Sequence, residues 1–178
     1  MSALKIVCAG FGGQGVLSLG QLVAMMAMKK GYQVSWMPSY GPEMRGGTAN
    51  CHVVIDKDPI ASPIITDGID VLLAMNQPSL TKFLPHMNPK GTIIANASMV
   101  KTEAVPAGIT INSVDFTAIA QEVGNLKVQN MAALGTVVAK LPIFEETDGL
   151  DIIEEKFGAK APELNTLNKA AFTKAFHA

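Results

Sequence analysis

KIVCAGFGGQGVLSLGQLVAMMAMKKGYQVSWM, residues 5–37, runs from a short apolar segment into a glycine cluster and then into a long apolar segment. Lys5 to Ala9 has the length of a strand. Gln14 to about Lys30 is too long for one and reads as a helix. Gly31 stops that helix as a glycine just past a C-terminus does, and Tyr32 to Met37 begins a second strand. A strand, a tight turn, a helix and a strand imply a parallel sheet.

Outward from this unit, Cys51–Ile55, Val71–Met75, Thr92–Ala95 and Ile109–Asn112 supply further strand-length apolar runs, each bounded by Pro, Gly, Asn or Asp. Helices are expected near Ser79–Leu84, Asp115–Val123, Val128–Leu141, Leu150–Phe157 and Glu163–Phe176. No internal repeat, low-complexity tract or linker interrupts the series. The expected fold is α/β: one domain over residues 1–178, Rossmann-like, with a mainly parallel sheet flanked by helices.

The 178 residues carry 14 Lys and Arg against 15 Asp and Glu, a net charge of −1, and charged residues are only 16% of the chain where about 25% is usual. Such a chain is not disordered, and neither charge sign attracts nucleic acid or anionic lipid. The most apolar stretch, Val16 to Met28, is shorter than the roughly 20 residues a membrane helix needs and is broken by Ser18 and Gln21. Met1 leads directly into a strand-like segment without a signal-peptide layout, so the cytoplasm is the expected compartment. Cys8 and Cys51 lie in apolar runs, as reduced buried thiols do, and not in a disulfide framework or metal site.

Two segments, Val16–Met28 and Val128–Leu141, are apolar almost all round the helical turn. One such helix can be sandwiched within a domain of this size; two, with few charges elsewhere, point to a covering subunit, although a place in the core explains them equally.

The chemistry-bearing signals are two. Gly10, Gly12 and Gly15 match GxGxxG at the first strand-to-helix turn, where glycine lets backbone approach a phosphate at the positive end of the helix dipole. A dinucleotide site also needs an acid about 20 residues on, at the end of the second strand, and Tyr32–Met37 has none. A nucleotide P-loop would need Lys and Ser or Thr where Val16 and Leu17 stand. Close packing alone is the remaining reading. The second signal is Pro38–Thr48, rich in Pro and Gly and read as a loop joining the second and third strands. Leaving the C-terminal end of a parallel strand, it belongs on the same rim as the glycine turn, where doubly wound sheets bind ligands. Arg45 could fork onto a phosphate or carboxylate with Glu43 orienting it; an exposed loop Arg beside a solvated Glu is the alternative. Asn96, Ser98 and Asn130 would face the same rim or serve as turn and cap residues. His52, His86 and His177 lack ligand spacing, and no nucleophile elbow is present.

Taken together, GFGGQG at Gly10–Gly15, the apolar helix, PSYGPEMRGGT at Pro38–Thr48, CHVVI at Cys51–Ile55, Ser62-Pro63 and NMAALG at Asn130–Gly135 resemble the gamma subunit of the 2-oxoacid:ferredoxin (acceptor) oxidoreductases, over about residues 4 to 140. The resemblance implies a non-redox subunit of a multi-chain enzyme that oxidatively decarboxylates a 2-oxoacid to its acyl-CoA and passes electrons to ferredoxin or another acceptor. It implies alpha and beta partners, and a delta subunit where the complex has one. Thiamine diphosphate and the iron–sulfur clusters would belong to those chains, and no cofactor to this one alone; two cysteines cannot supply a four-cysteine cluster. The isolated chain could dimerise through the surface its partners would cover. The loop's form is closest to the 2-oxoglutarate and branched-chain types, with 2-oxoglutarate the expected substrate. By position, the residues implied at the coenzyme A side are Gly12, Gly13, Gln14, Gly15, Ser39, Tyr40, Gly41, Glu43, Arg45, Gly46, Gly47 and Thr48, none of them catalytic. A self-sufficient NAD(P)- or flavin-binding oxidoreductase and a purely structural interaction module are the alternatives.

Overall fold

Six strands form one sheet in the order β2-β3-β1-β4-β5-β6, in a computed structural model that describes residues 3–40 and 47–178. The strands are β1 (Leu4–Phe11), β2 (Gln33–Tyr40), β3 (Thr48–Asp56), β4 (Ile69–Ala74), β5 (Met87–Asn96) and β6 (Thr110–Val114). β1, β4, β5 and β6 pair parallel to one another. β3 lies antiparallel between β1 and β2. The first strand–helix–strand unit therefore runs in the expected direction, but its two strands are not neighbours: β3 is inserted between them.

The helices are α1 (Val16–Lys29), α2 (Gln77–Phe83), α3 (Phe116–Val123), α4 (Gln129–Lys140), α5 (Glu146–Phe157) and α6 (Pro162–Phe176). Several ends follow from single residues. Asp115 caps α3 by accepting from the Ala118 N–H at 2.8 Å, and Gly124 ends it in the left-handed region, where a side chain is disfavoured. Glu145 and Asp148 form a capping box at α5. No helix among the described residues is long and apolar enough to cross a membrane.

The layers are unequal. α1, α3, α4, α5 and α6 cover one face of the sheet, over Ile6, Cys8, Cys51, Val53, Val71, Leu73 and Ile94. The other face, carrying Val7, Ala9, Val54, Leu72, Ala74, Ile93 and Ala95, is packed by α2 together with Ile65 and Val100 from the connecting segments. Of the two readings of the apolar helices, this distribution bears out the place in the core. α4 is buried from Met131 to Val138, and its neighbours are this chain's own α1, α3, α5 and α6. α1 is likewise covered by the sheet, α4 and α5. The C-terminal amphipathic helices α5 and α6 supply the cover, so these two apolar segments do not by themselves call for a partner subunit.

Glycines make the close layers possible. A Cβ at Gly20 would stand 2.3 Å from Cys51 Sγ, and one at Gly135 2.2 Å from the carbonyl oxygen of Phe172. Real contacts of that kind do not occur, so α1 lies on β3, and α4 on α6, at a separation only glycine permits.

His52 ties the β4-side segment to the sheet. Its Nδ1 accepts the Ile65 N–H at 3.0 Å, while burial, helped by Lys82, lowers its pKa from 6.5. The Phe83 ring also packs edge-on against it. A protonated Nδ1 cannot accept that bond, so neutral His52 is the form the fold holds. Because the folded pKa lies below the unfolded one, this contribution to stability is fully present above about pH 6.5. It is lost as the pH falls through the folded value. Melting temperature followed from pH 7.5 to 5 should decline in that window, and His52→Gln should remove that part of the slope; an equal slope in the variant would assign the decline to other groups.

Candidate functional site

β1 ends at Phe11, and the chain turns back on itself through Gly12 and Gly13 before α1 begins. The Gln14 N–H donates to the Phe11 carbonyl at 3.1 Å, closing the turn. Gly13 and Gly15 have φ of 98° and 74°, a region in which an L side chain is strained. Gly15 has a second constraint: a Cβ there would meet the Asn130 side-chain amide nitrogen at 2.4 Å. Asn130 thus stands on this rim, directly against the turn.

Across the rim, the Gly12 N–H donates to the Gly47 carbonyl at 2.9 Å, and Phe11 pairs with Thr48 at the end of the β1–β3 ladder. The Pro38–Thr48 segment therefore meets the glycine turn at one rim, as expected, but it is not all loop. Pro38, Ser39 and Tyr40 continue β2, opposite Cys51, Asn50 and Ala49, and Thr48 opens β3. Pro38 marks a loop start in the sequence; in the structure it is tolerated within a strand because β2 is the sheet edge, where one backbone N–H is not needed. Gly41, Glu43, Arg45 and Gly46 lie outside the described residues.

Between the turn, the start of α1 and the start of β3 is a cleft of about 420 Å³, lined by Phe11, Gly12, Gly13, Gly15, Val16, Leu17, Ser18, Gly47, Thr48 and Ala49. Gly15 precedes α1 as its cap residue, provides no side-chain cap, and the first turn of the helix has no acidic residue. The positive end of its dipole therefore lies at this cleft with no side-chain acceptor among the described residues. The lining holds no titratable side chain among the described residues. Beside the apolar Phe11, Val16 and Leu17 it offers the hydroxyls of Ser18 and Thr48 and the backbone of the glycine turn, groups that can bond an anion but cannot act as a general acid or base near neutral pH.

Of the residues singled out in the sequence, Gly12, Gly13, Gly15, Gly47 and Thr48 meet at the cleft. Gln14 does not offer its side chain to it. Its Oε1 accepts from the Phe11 N–H at 2.7 Å and from Asn76 Nδ2 at 3.3 Å, and its Nε2 donates to the Met75 carbonyl at 3.2 Å. Asn76 is itself buried and caps α2 by accepting the Ser79 N–H at 2.9 Å. Gln14 is thus a clamp that joins the glycine turn to the ends of β1 and β4. Gln14→Ala would leave several of these polar groups unpaired, at about 1–3 kcal/mol; chemical denaturation should show a loss in that range, whereas a change below about 0.5 kcal/mol would mean that water replaces the clamp. Asn96 and Ser98 bond each other and Thr117, serving the fold and not the cleft.

Sequence reasoning missed Phe11, Ser18 and Asn76. The last carried a signal, since Asn76-Gln77-Pro78-Ser79 directly after an apolar run has the pattern of a helix N-cap.

The fold is that of an oxidoreductase gamma subunit. Residues 5–178 match the family model of the pyruvate ferredoxin/flavodoxin oxidoreductases, and the chain belongs to that family. It is similar to the ketoisovalerate oxidoreductase subunit VorA of Methanothermobacter marburgensis, 42% identical over 139 residues, which are 76% of this chain and 28% of that one. The chain thus spans less than a third of this relative's length. The 2-oxoglutarate synthase subunit KorC of Methanocaldococcus jannaschii is 30% identical over 178 residues, 97% of this chain and 91% of that one. Among solved structures, the 2-oxoglutarate:ferredoxin oxidoreductase of Magnetococcus marinus, with 2-oxoglutarate, coenzyme A and succinyl-CoA bound, superposes with a TM-score of 0.88 at 24% identity, over 98% of this chain and 30% of that chain.

Proposed function

We propose that this chain is the non-redox subunit of a multi-chain 2-oxoacid:ferredoxin (acceptor) oxidoreductase, and that its glycine-turn cleft holds a phosphate of coenzyme A while the domain encloses that side of the active site. The observation that carries this reading is the uncapped start of α1 opening on the 420 Å³ cleft. Coenzyme A brings phosphates, the ligand that free helix N–H groups and a side-chain-free turn suit. A covered site would also keep water from a reactive acyl intermediate. Thiamine diphosphate and the iron–sulfur clusters are assigned to the partner alpha, beta and, where present, delta chains. Within this chain both cysteines are buried in the core, away from any role as cluster ligands.

The proposed oxoacid is 2-oxoglutarate, supported by the near full-length similarity to KorC. A branched-chain 2-oxoacid is the second reading, favoured by the 42% identity to VorA. The test is to tag the chain at native expression level, purify it anaerobically and assay what accompanies it. Recovery with thiamine-diphosphate and iron–sulfur subunits, and coenzyme A-dependent viologen reduction fastest with 2-oxoglutarate, is the expected result; a chain that comes alone under gentle conditions overturns the subunit reading. Arg45, from the glycine-rich segment, is proposed to pair with the same ligand. Arg45→Ala in the assembled enzyme should raise the KM for coenzyme A about tenfold or more, the loss of one charge-assisted contact, with decarboxylation little changed. Unaltered coenzyme A kinetics would make it an interface residue.

A further inference from the structure

Cys8 and Cys51 stand opposite each other on antiparallel β1 and β3. Both thiols are free and fully buried, on the face covered by α1. Directly opposed residues in an antiparallel pair have Cα atoms about 4.5–5.5 Å apart, inside the roughly 4.4–6.8 Å range that a disulfide spans. The pair is not isolated from the cleft. Cys51 Sγ donates to the carbonyl of Val16, the first residue of α1, at 3.5 Å, and Val16 lines the cleft.

The surroundings differentiate the two sulfurs. The Trp36 indole N–H is buried and has no hydrogen-bond partner among the described residues. It lies beside Gly20, in the space where a Cβ would also meet Cys51 Sγ. A thiolate at Cys51 would give that donor an acceptor. Accordingly the Cys51 thiol is drawn down by Cys8 and, against burial, by Trp36, while Cys51 and burial push the Cys8 thiol up. The unpartnered Trp36 N–H beside Cys51 makes Cys51 the better placed of the two sulfurs to carry a thiolate, with Cys8 opposite it on the neighbouring strand.

We propose that Cys8 and Cys51 form a redox pair that a peroxide converts to an intrachain disulfide, removing the Cys51 hydrogen bond to Val16 and loosening the first turn of α1 at the cleft. The Cys51 thiolate attacks one peroxide oxygen, the O–O bond breaks, and the departing oxygen leaves as water once protonated, giving a sulfenic acid. The Cys8 sulfur then attacks the Cys51 sulfur, the S–O bond breaks and a second water leaves with the Cys8 proton. Two thiols lose two electrons to one hydrogen peroxide, yielding one disulfide and two waters.

The inference does not depend on the function proposed for the cleft. The folded full-length protein is treated with hydrogen peroxide, denatured and labelled with N-ethylmaleimide for mass analysis. The expected product takes no label, weighs two hydrogens less and recovers both labels after dithiothreitol; amide exchange in residues 17–20 rises with oxidation. Two labels retained, or oxygen added to the cysteines in place of the disulfide, would overturn the pair. A disulfide with unchanged exchange would overturn its link to the cleft. The same rise in a folded Cys8→Ala/Cys51→Ala variant would assign it to another oxidised group and overturn the link equally.

Discussion

Gly135→Ala should lower the stability of this protein by about 1–3 kcal/mol. α4 lies on α6 with the Gly135 Cα against the Phe172 backbone, and the new Cβ would sit 2.2 Å from its carbonyl oxygen and 3.0 Å from its carbonyl carbon. Backbone cannot swing aside as a side chain does, so the helices must part. Phe172 is fully buried and its ring already presses on Gly149, so the displacement passes into α5. Overpacking of this kind costs typically 1–3 kcal/mol and occasionally more; the better helix propensity of alanine returns up to about 1 kcal/mol. At about 2–4 °C per kcal/mol for a domain of this size, the melting temperature should fall by roughly 2–12 °C. A melting temperature unchanged or raised would show that the α4–α6 gap accepts a methyl, and that this close approach is not what holds glycine at 135.

Ser18→Asp should separate a binding cleft from a merely structural one, because stability and ligand affinity should move in opposite directions. Ser18 is in the first turn of α1, whose start has no cap and no acid. A carboxylate there complements the helix dipole and should stabilise the free chain by about 0.3–1 kcal/mol. The same carboxylate lines the cleft proposed for a coenzyme A phosphate. Two like charges about 5 Å apart at an effective dielectric near 20 repel by about 3 kcal/mol, and half of that is already close to tenfold in affinity. In the assembled enzyme the KM for coenzyme A should rise at least tenfold at low salt, and less at high salt as screening takes hold. A variant that is more stable and kinetically normal would remove the α1 start from the ligand site.

The legibility of the chain follows the range of the forces involved. α3 is readable nearly to the residue because Asp115 and Gly124 act on their own helix through local bonds. The glycine turn is readable because positive φ at Gly13 and Gly15 is a local demand. Pro38 misled, since its tolerance depends on β2 being an edge, a property of the sheet and not of the segment. Gln14 is the instructive case at the site. It stands among ligand-facing glycines in the sequence, yet its amide is committed to Phe11, Met75 and Asn76, and two of those partners are more than 60 positions away. The apolar faces of α1 and α4 were plain; that α5 and α6 would cover them was not, because apolar burial is non-directional and does not name its partner.

By itself the sequence determined the α/β class, the strand and helix order, the glycine turn at the first crossover and the family, all of which rest on local periodicity, backbone conformation and motif spacing. Only the tertiary structure decided that β3 runs antiparallel between β1 and β2, that Gly12 and Gly47 close one rim, and that Cys8 faces Cys51 beneath α1. Those are pairings between distant segments, chosen by register and by which faces can be buried together, and no short window of residues carries that information.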